Sequence, residues 1–273
     1  MSSPAPCSYL FVPGNRPDRY AKALAAGADA VIIDLEDAVP PEDKLAARCA
    51  LRQWLSPEHP VLIRVNGAES KFFEEDLSLC KTPGIAGVLL PKAENADDIR
   101  TLAAHCAPGT PILALIETAR GFWNAHALAQ APQVRRFVFG SIDFQLDLGI
   151  EGEEEELLHF RSQLVLVSRL ANLDAPVDGV TTAIDDAERI RSETRRARRL
   201  GFGGKLCIHP RQVGFVNECF APTDEEVAWA KRIAEAAEAV HGAAVSVDGK
   251  MVDRPVIARA AAILERTQQR RMR

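Results

Sequence analysis

AVIIDLED, residues 30–37, is the stretch whose reading decides the fold. Four apolar residues, three of them β-branched, run directly into Asp34, and two more carboxylates, Glu36 and Asp37, follow. An unbroken apolar run of this length suits a strand covered on both faces, as in a parallel sheet. Runs of the same kind recur along the chain at Tyr9–Val12, Val61–Val65, Gly87–Leu90, Ile112–Ile116, Arg136–Phe139, Val177–Val180 (the weakest) and Lys205–Ile208, making eight in all. Helical patterns fall between them at 18–26, 41–54, 96–105, 121–127, 157–172 and 185–200. Eight strands alternating with helices predict either a closed (β/α)8 barrel or an open doubly wound sheet. No GxGxxG or GxxxxGK[ST] turn follows any run, so the usual dinucleotide and P-loop readings fall away and the expectation is the α/β class with a (β/α)8 TIM barrel.

The length agrees: 273 residues is close to the roughly 250 of one such barrel. The barrel is expected over 1–210. Residues 211–273 form a helical extension, with helices over 223–241 and 255–266 around a turn-rich segment, Gly242–Val252. That segment reads as a lid or an arm toward another subunit, or as a cap on its own barrel. The charge balance, 33 basic against 38 acidic residues, offers no basic excess for nucleic acid. No apolar run approaches the roughly 20 residues that span a bilayer, and the first residues lack a secretory pattern, so no membrane partner and a cytoplasmic location are expected. Six scattered cysteines without a CxxC pair read as reduced and mostly buried. The acidic run Gly152–Glu156 reads as a solvated helix start, and the arginine-rich Arg191–Leu200 as a solvated helix end.

In a (β/α)8 barrel the chemistry sits at the C-terminal strand ends. Those ends carry Asp34, Glu36 and Asp37, then Arg64 and Asn66, Lys92, Glu117, Asp143 and His209. Charges in such apolar surroundings need partners or ligands. Glu117 and Asp143 end neighbouring runs and are expected to converge. Hard oxygen donors without histidine suit Mg2+, with Mn2+ as the alternative, and disfavour zinc. Arg64 is a fork for a substrate carboxylate, or else an ion-pair partner of Glu36 or Glu117.

Taken in order, LFVPGNRPDRYAKA, ADAVIIDLEDAV, VLIRVNG, VLLPKAEN, ALIETARG, FVFGSIDFQLDLG, KLCIHPRQV and DGKMVDRP resemble the citrate lyase β-subunit-like branch of the HpcH/HpaI aldolase superfamily, over residues 10–255. The resemblance implies that Glu117 and Asp143 bind Mg2+ and that Arg64 binds the carboxylate of a 2-oxo acid. It also implies that Asp253 is a proton-transferring acid reaching the active site of a neighbouring subunit, which favours the lid reading and a homo-oligomer, a trimer or hexamer. Asp147 is assigned to structure. Glu36 and Asp37 are expected to hold waters of the metal or to assist proton transfer, Lys92 to balance the acidic cluster, and Arg16 to touch CoA phosphates or pair with Glu36.

The activity implied is a Mg2+-dependent carbon–carbon lyase that splits a malyl-CoA or citramalyl-CoA type 3-hydroxyacyl-CoA into a 2-oxo acid and acetyl-CoA, with CoA as part of the substrate. FVPGNRPDR contains no histidine, which disfavours the histidine-base aldolase mechanism of the wider superfamily. Alternatives on the same site are a malate or methylmalate synthase, a malyl-CoA thioesterase and a citrate lyase β subunit acting on a carrier protein. The non-enzymatic alternative is a barrel subunit or scaffold.

Overall fold

A computed structural model describes residues 5–239 and 245–271. Its strands are β1 Ser8–Pro13, β2 Ala30–Asp34, β3 Val61–Arg64, β4 Ile85–Leu90, β5 Ile112–Ile116, β6 Val134–Phe139, β7 Asp174–Asp178 and β8 Gly204–Cys207. All eight are parallel and close in sequence order, with β1 returning to β8 in the register Ser8 to Lys205 and Leu10 to Cys207. The open sheet is therefore excluded. β7 begins three residues before the run that announces it, because Asp174 and Pro176 break the apolar pattern there.

The barrel helices are α1 Tyr20–Leu24, α2 Lys44–Trp54, α3 Phe73–Leu77, α4 Ala96–His105, α5 Ala119–Trp123, α6 Ala125–Leu128, α7 Ser141–Leu148, α8 Leu158–Leu170, α9 Ala187–Leu200 and α10 Pro210–Phe220. The single helix expected over 121–127 is two short ones broken at Asn124, and the sequence patterns do not announce α3, α7 or α10. α7 is hidden because Ser141 and Asp143 read as the end of the preceding run.

Alternation along the strands explains their continuous apolar character. One cluster draws Tyr9, Ile32, Leu62, Leu89, Leu113, Leu115, Val138, Val177 and Leu206 from all eight strands and fills the interior. Residues of the opposite parity, such as Ile33, Ile63, Val88, Ala114 and Phe137, are buried against the helices. With both faces covered, mid-strand positions are mostly apolar, and the buried exceptions Arg136 and Lys205 have hydrogen-bond partners.

The acidic run is largely exposed, as a solvated helix start is, and it also makes surface ion pairs. Glu153 and Glu154 of the acidic run pair with Arg189 and Arg196 on α9, at 3.2 and 3.4 Å. None of the six cysteines is in a disulfide, and four of them are buried.

A second compact unit begins at Glu218. It contains α11 Asp224–Ala239, an antiparallel hairpin of β9 Val245–Val247 and β10 Lys250–Val252, and α12 Arg254–Arg271. Ala230, Ile233, Val252, Ala260 and Ile263 make its own core. Of the segment read as a lid, residues 242–244 lie outside the described residues, as do 240–241 of the expected helix; the remainder is the hairpin.

Candidate active site

Strand parity also places charge inside the barrel. Asp34 follows Ile32, Arg64 follows Leu62 and Glu117 follows Leu115, each two residues on and at the C-terminal end. At the opposite end Arg136 precedes Val138 by two and donates to the Tyr9 hydroxyl at 2.8 Å, to Pro6 O at 2.6 Å and to Ala175 O. The interior is thus an aliphatic plug with a hydrogen-bonded floor and a charged mouth.

At the mouth, Asp34 and Arg64 are register partners on β2 and β3. Arg64 Nε and Nη2 donate to the two Asp34 oxygens at 2.7 and 2.5 Å, a bidentate pair that sequence reading missed. Its Nη1 lies 2.9 Å from Glu36 Oε2 and 3.8 Å from Asp37, and the guanidinium stacks over Phe11 at 4.9 Å. Arg64 is therefore not short of a local counter-ion. Burial opposes its charge, but the hydrogen bonds and attraction of Asp34 keep its pKa above the ordinary value.

Asp34 also accepts from the Glu36 and Ala38 main-chain N–H groups, at 2.9 and 3.2 Å, fixing the turn that carries Glu36. The other side of that turn is held by Lys44. Its buried ammonium donates to Leu35 O, Glu36 O and Asn66 Oδ1 at 2.7, 2.7 and 2.8 Å, and Asn66 in turn binds Asp76, the partner of Arg48. Lys44 and Arg48 lie on the same α2 stripe as Ala47 and Leu51, all four buried. Cations at helical spacing on an apolar stripe were the signal that could have revealed them.

Lys92 follows β4 with φ +46°. Its N–H donates to Glu117 Oε1 at 2.8 Å, and its ammonium to Glu36 Oε1 at 2.7 Å. Glu117 is 2% exposed. Gly140 lies against it, so close that a Cβ there would stand 2.5 Å from Glu117 Oε2. Burial, reinforced by Glu36 and Asp143, pushes the Glu117 carboxyl up to about 8, against the pull of the Lys92 N–H and ammonium. Glu36 is raised as well, by burial first, while Arg64 and Lys92 oppose the shift.

Asp143 stands in the first turn of α7 rather than on a strand, and its charge reaches Glu117. Among the described residues no trio of His, Cys, Asp or Glu side chains gathers around one point. The pair fits magnesium nonetheless. A buried carboxyl resisting ionisation beside two other acids is relieved by a divalent cation, and two hard oxygen donors leave room for water and substrate oxygens, which magnesium retains readily.

Asp147 accepts from the Ala119 N–H at 2.7 Å at the start of α5, the structural use assigned to it. Arg16 is an exposed residue that pairs with Asp18 at 2.9 Å, not with Glu36. Asp37 is exposed. Asp253 belongs to the C-terminal unit, where it precedes α12 and accepts from the Val256 N–H at 3.4 Å. Beside Glu36 and Lys92 a cleft of about 450 Å³ runs outward past Pro40, Asn66, Phe72 and Asn95.

A family model described as HpcH/HpaI aldolase/citrate lyase matches residues 7–210. The chain belongs to this family. Within the HpcH/HpaI family it is similar to the citrate lyase subunit beta-like protein of Deinococcus radiodurans, at 42% identity over 94% of this chain and 95% of that one. A (3S)-malyl-CoA thioesterase of Cereibacter sphaeroides is 34% identical, over 94% and 95% of the two chains. The solved structure of CitE from Mycobacterium tuberculosis in complex with magnesium, acetoacetate and coenzyme A matches with a TM-score of 0.86 at 35% identity, covering 98% of this chain and 99% of that one. An HpcH/HpaI member at these identities has the lyase-family barrel that the strands describe.

Proposed function

We propose that this chain is a Mg2+-dependent carbon–carbon lyase that cleaves a malyl-CoA or citramalyl-CoA type thioester into a 2-oxo acid and acetyl-CoA. The observation that carries the reading is Glu117, buried and raised to about 8 beside Asp143, at the same barrel mouth as Arg64. Glu117 and Asp143 would hold Mg2+, which when bound supplies Lewis-acid stabilisation of the oxo acid oxygens.

The chain's own residues then have these tasks. Arg64 turns its Nη1 edge, which faces Glu36 Oε2 at 2.9 Å, to the substrate carboxylate in place of Glu36, while Asp34 fixes the guanidinium plane. Glu36 takes the proton from the substrate 3-hydroxyl, since burial makes its carboxyl hold a proton more readily than an exposed glutamate. As that O–H bond breaks, a carbonyl forms, the adjacent carbon–carbon bond breaks, and its electron pair passes to the thioester fragment as an enolate. Asp253, supplied by a second copy of the chain, protonates the enolate carbon to give acetyl-CoA. Lys92 screens the acids from one another, and the cleft beside it admits part of the substrate.

The likeness to a (3S)-malyl-CoA thioesterase supports a second reading, hydrolysis on the same site. One experiment separates the two. The protein is incubated with Mg2+ and malyl-, citramalyl- and citryl-thioesters, and the products are identified by mass spectrometry. The lyase gives acetyl-CoA and an oxo acid, whereas the thioesterase gives free CoA and the intact hydroxy acid. No turnover on any substrate, with cation binding unchanged in Glu117→Ala and Asp143→Ala, would overturn both.

A further inference from the structure

Four non-glycine residues among those described have positive φ: Lys92, Gln133, Asn172 and Asp248. Asn and Asp adopt this conformation readily, and lysine does so with strain. Such strain persists only where the surroundings over-determine it. At Lys92 the surroundings are consecutive bonds to the neighbouring β5 segment: the Lys92 N–H goes to Glu117 Oε1 and the Ala93 N–H to Leu115 O at 3.2 Å. The ammonium of the same residue meets Glu36 Oε1 at 2.7 Å. A residue selected for this backbone alone would be glycine or asparagine.

We propose that Lys92 is a positioning residue for both acids at once: its left-handed main chain aims Glu117 at the cation, and its ammonium holds Glu36. The first half rests on the reading of Glu117 as a cation ligand. Gly140 leaves space for Glu117 Oε2, so that with Oε1 on the Lys92 N–H the carboxylate has one defined orientation.

Mn2+ titration followed by electron paramagnetic resonance tests the main-chain half. Lys92→Gly keeps the turn without strain and should bind Mn2+ within about threefold of wild type. Lys92→Val, β-branched and averse to positive φ, should bind at least about tenfold more weakly. Glycine as damaging as valine, or valine as good as wild type, overturns this half; if the valine variant does not fold, the glycine result alone decides. Wild type that binds no Mn2+ overturns the cation reading itself.

Urea denaturation of Lys92→Met, Glu36→Gln and their double variant tests the ammonium half without any substrate. Non-additive losses are expected, and additive ones overturn it. On a thioester that the wild type cleaves, Lys92→Met should lower kcat about tenfold with KM within about threefold, as a group that orients a catalytic base does. Unchanged kcat would equally sink the ammonium role.

Discussion

Arg64 gives two of its three guanidinium nitrogens to Asp34, its register partner one strand away. The carboxylate fork that the sequence offers a substrate is thus oriented by a protein carboxylate, and Nη1 is the nitrogen that Asp34 leaves. Removing one member of a buried pair costs about 3–5 kcal/mol, because the other charge stays behind. Asp34→Ala should lose stability of that order in urea denaturation, and Asp34→Ala/Arg64→Met should lose less than Asp34→Ala. A double-variant loss equal to the sum of the Asp34→Ala and Arg64→Met losses would show that the pair is not coupled.

Glu117 gives the protein a pH dependence of definite sign. Its carboxyl rises from an ordinary 4.5 to about 8 on folding, so between those values the folded state binds the proton that the unfolded state has released. Its contribution is full below about 4.5 and is lost as pH rises to about 8, a change on the order of a few kcal/mol. Metal-free protein should therefore melt at progressively lower temperature from pH 5 to pH 8. Saturating Mg2+, which needs the carboxylate ionised, should flatten the profile. A metal-free profile that is flat, or that rises with pH, would contradict the assignment.

Gly140→Ala places a methyl group where the Glu117 carboxylate lies, at 2.5 Å from both Cβ and Oε2. The side chain must leave its position, and Mn2+ affinity is expected to fall at least about tenfold, the usual cost of misplacing a ligand. Calorimetric titration measures this directly. An affinity equal to wild type would mean that Glu117 does not use this orientation to bind the cation.

Lys44→Met removes a donor that Leu35 O, Glu36 O and Asn66 Oδ1 share, while preserving most of the side-chain volume. Leu35 O keeps the Asn66 amide and Glu36 O keeps the Val39 N–H, so Asn66 Oδ1 is the acceptor left unsatisfied, and a buried one costs about 1–3 kcal/mol. A loss of about 1–3 kcal/mol in urea denaturation is expected. A loss below about 0.5 kcal/mol, as at ordinary surface sites, would show that water replaces the ammonium freely.

The barrel is legible in the sequence because a strand buried on both faces writes itself as an unbroken apolar run, as in β2 and β5. The mouth is legible in part, since Glu117 and Arg64 end such runs and parity then turns them inward. What stays hidden depends on neighbours distant in sequence. Asp34 looks like one of three terminal acids until β3 sets Arg64 beside it, 30 residues away. Arg16 finds Asp18 two residues on, a local pairing that competes with the longer-range one expected with Glu36. Lys92 reads as a simple counter-charge, because a backbone angle leaves no mark in composition. Asp143 reads as part of a strand end because nothing in GSID marks where β6 stops and α7 begins.

The Arg136–Tyr9 floor gives the molecule a polarity of vulnerability. Aliphatic side chains separate this hydrogen-bonded closure from Asp34, Arg64 and Glu117, so lesions at the two poles should have different phenotypes: below, protein abundance; above, catalytic quality in protein made at normal levels. A barrel partitioned this way can exchange one chemistry for another by edits at its rim, while the opposite pole continues to secure assembly.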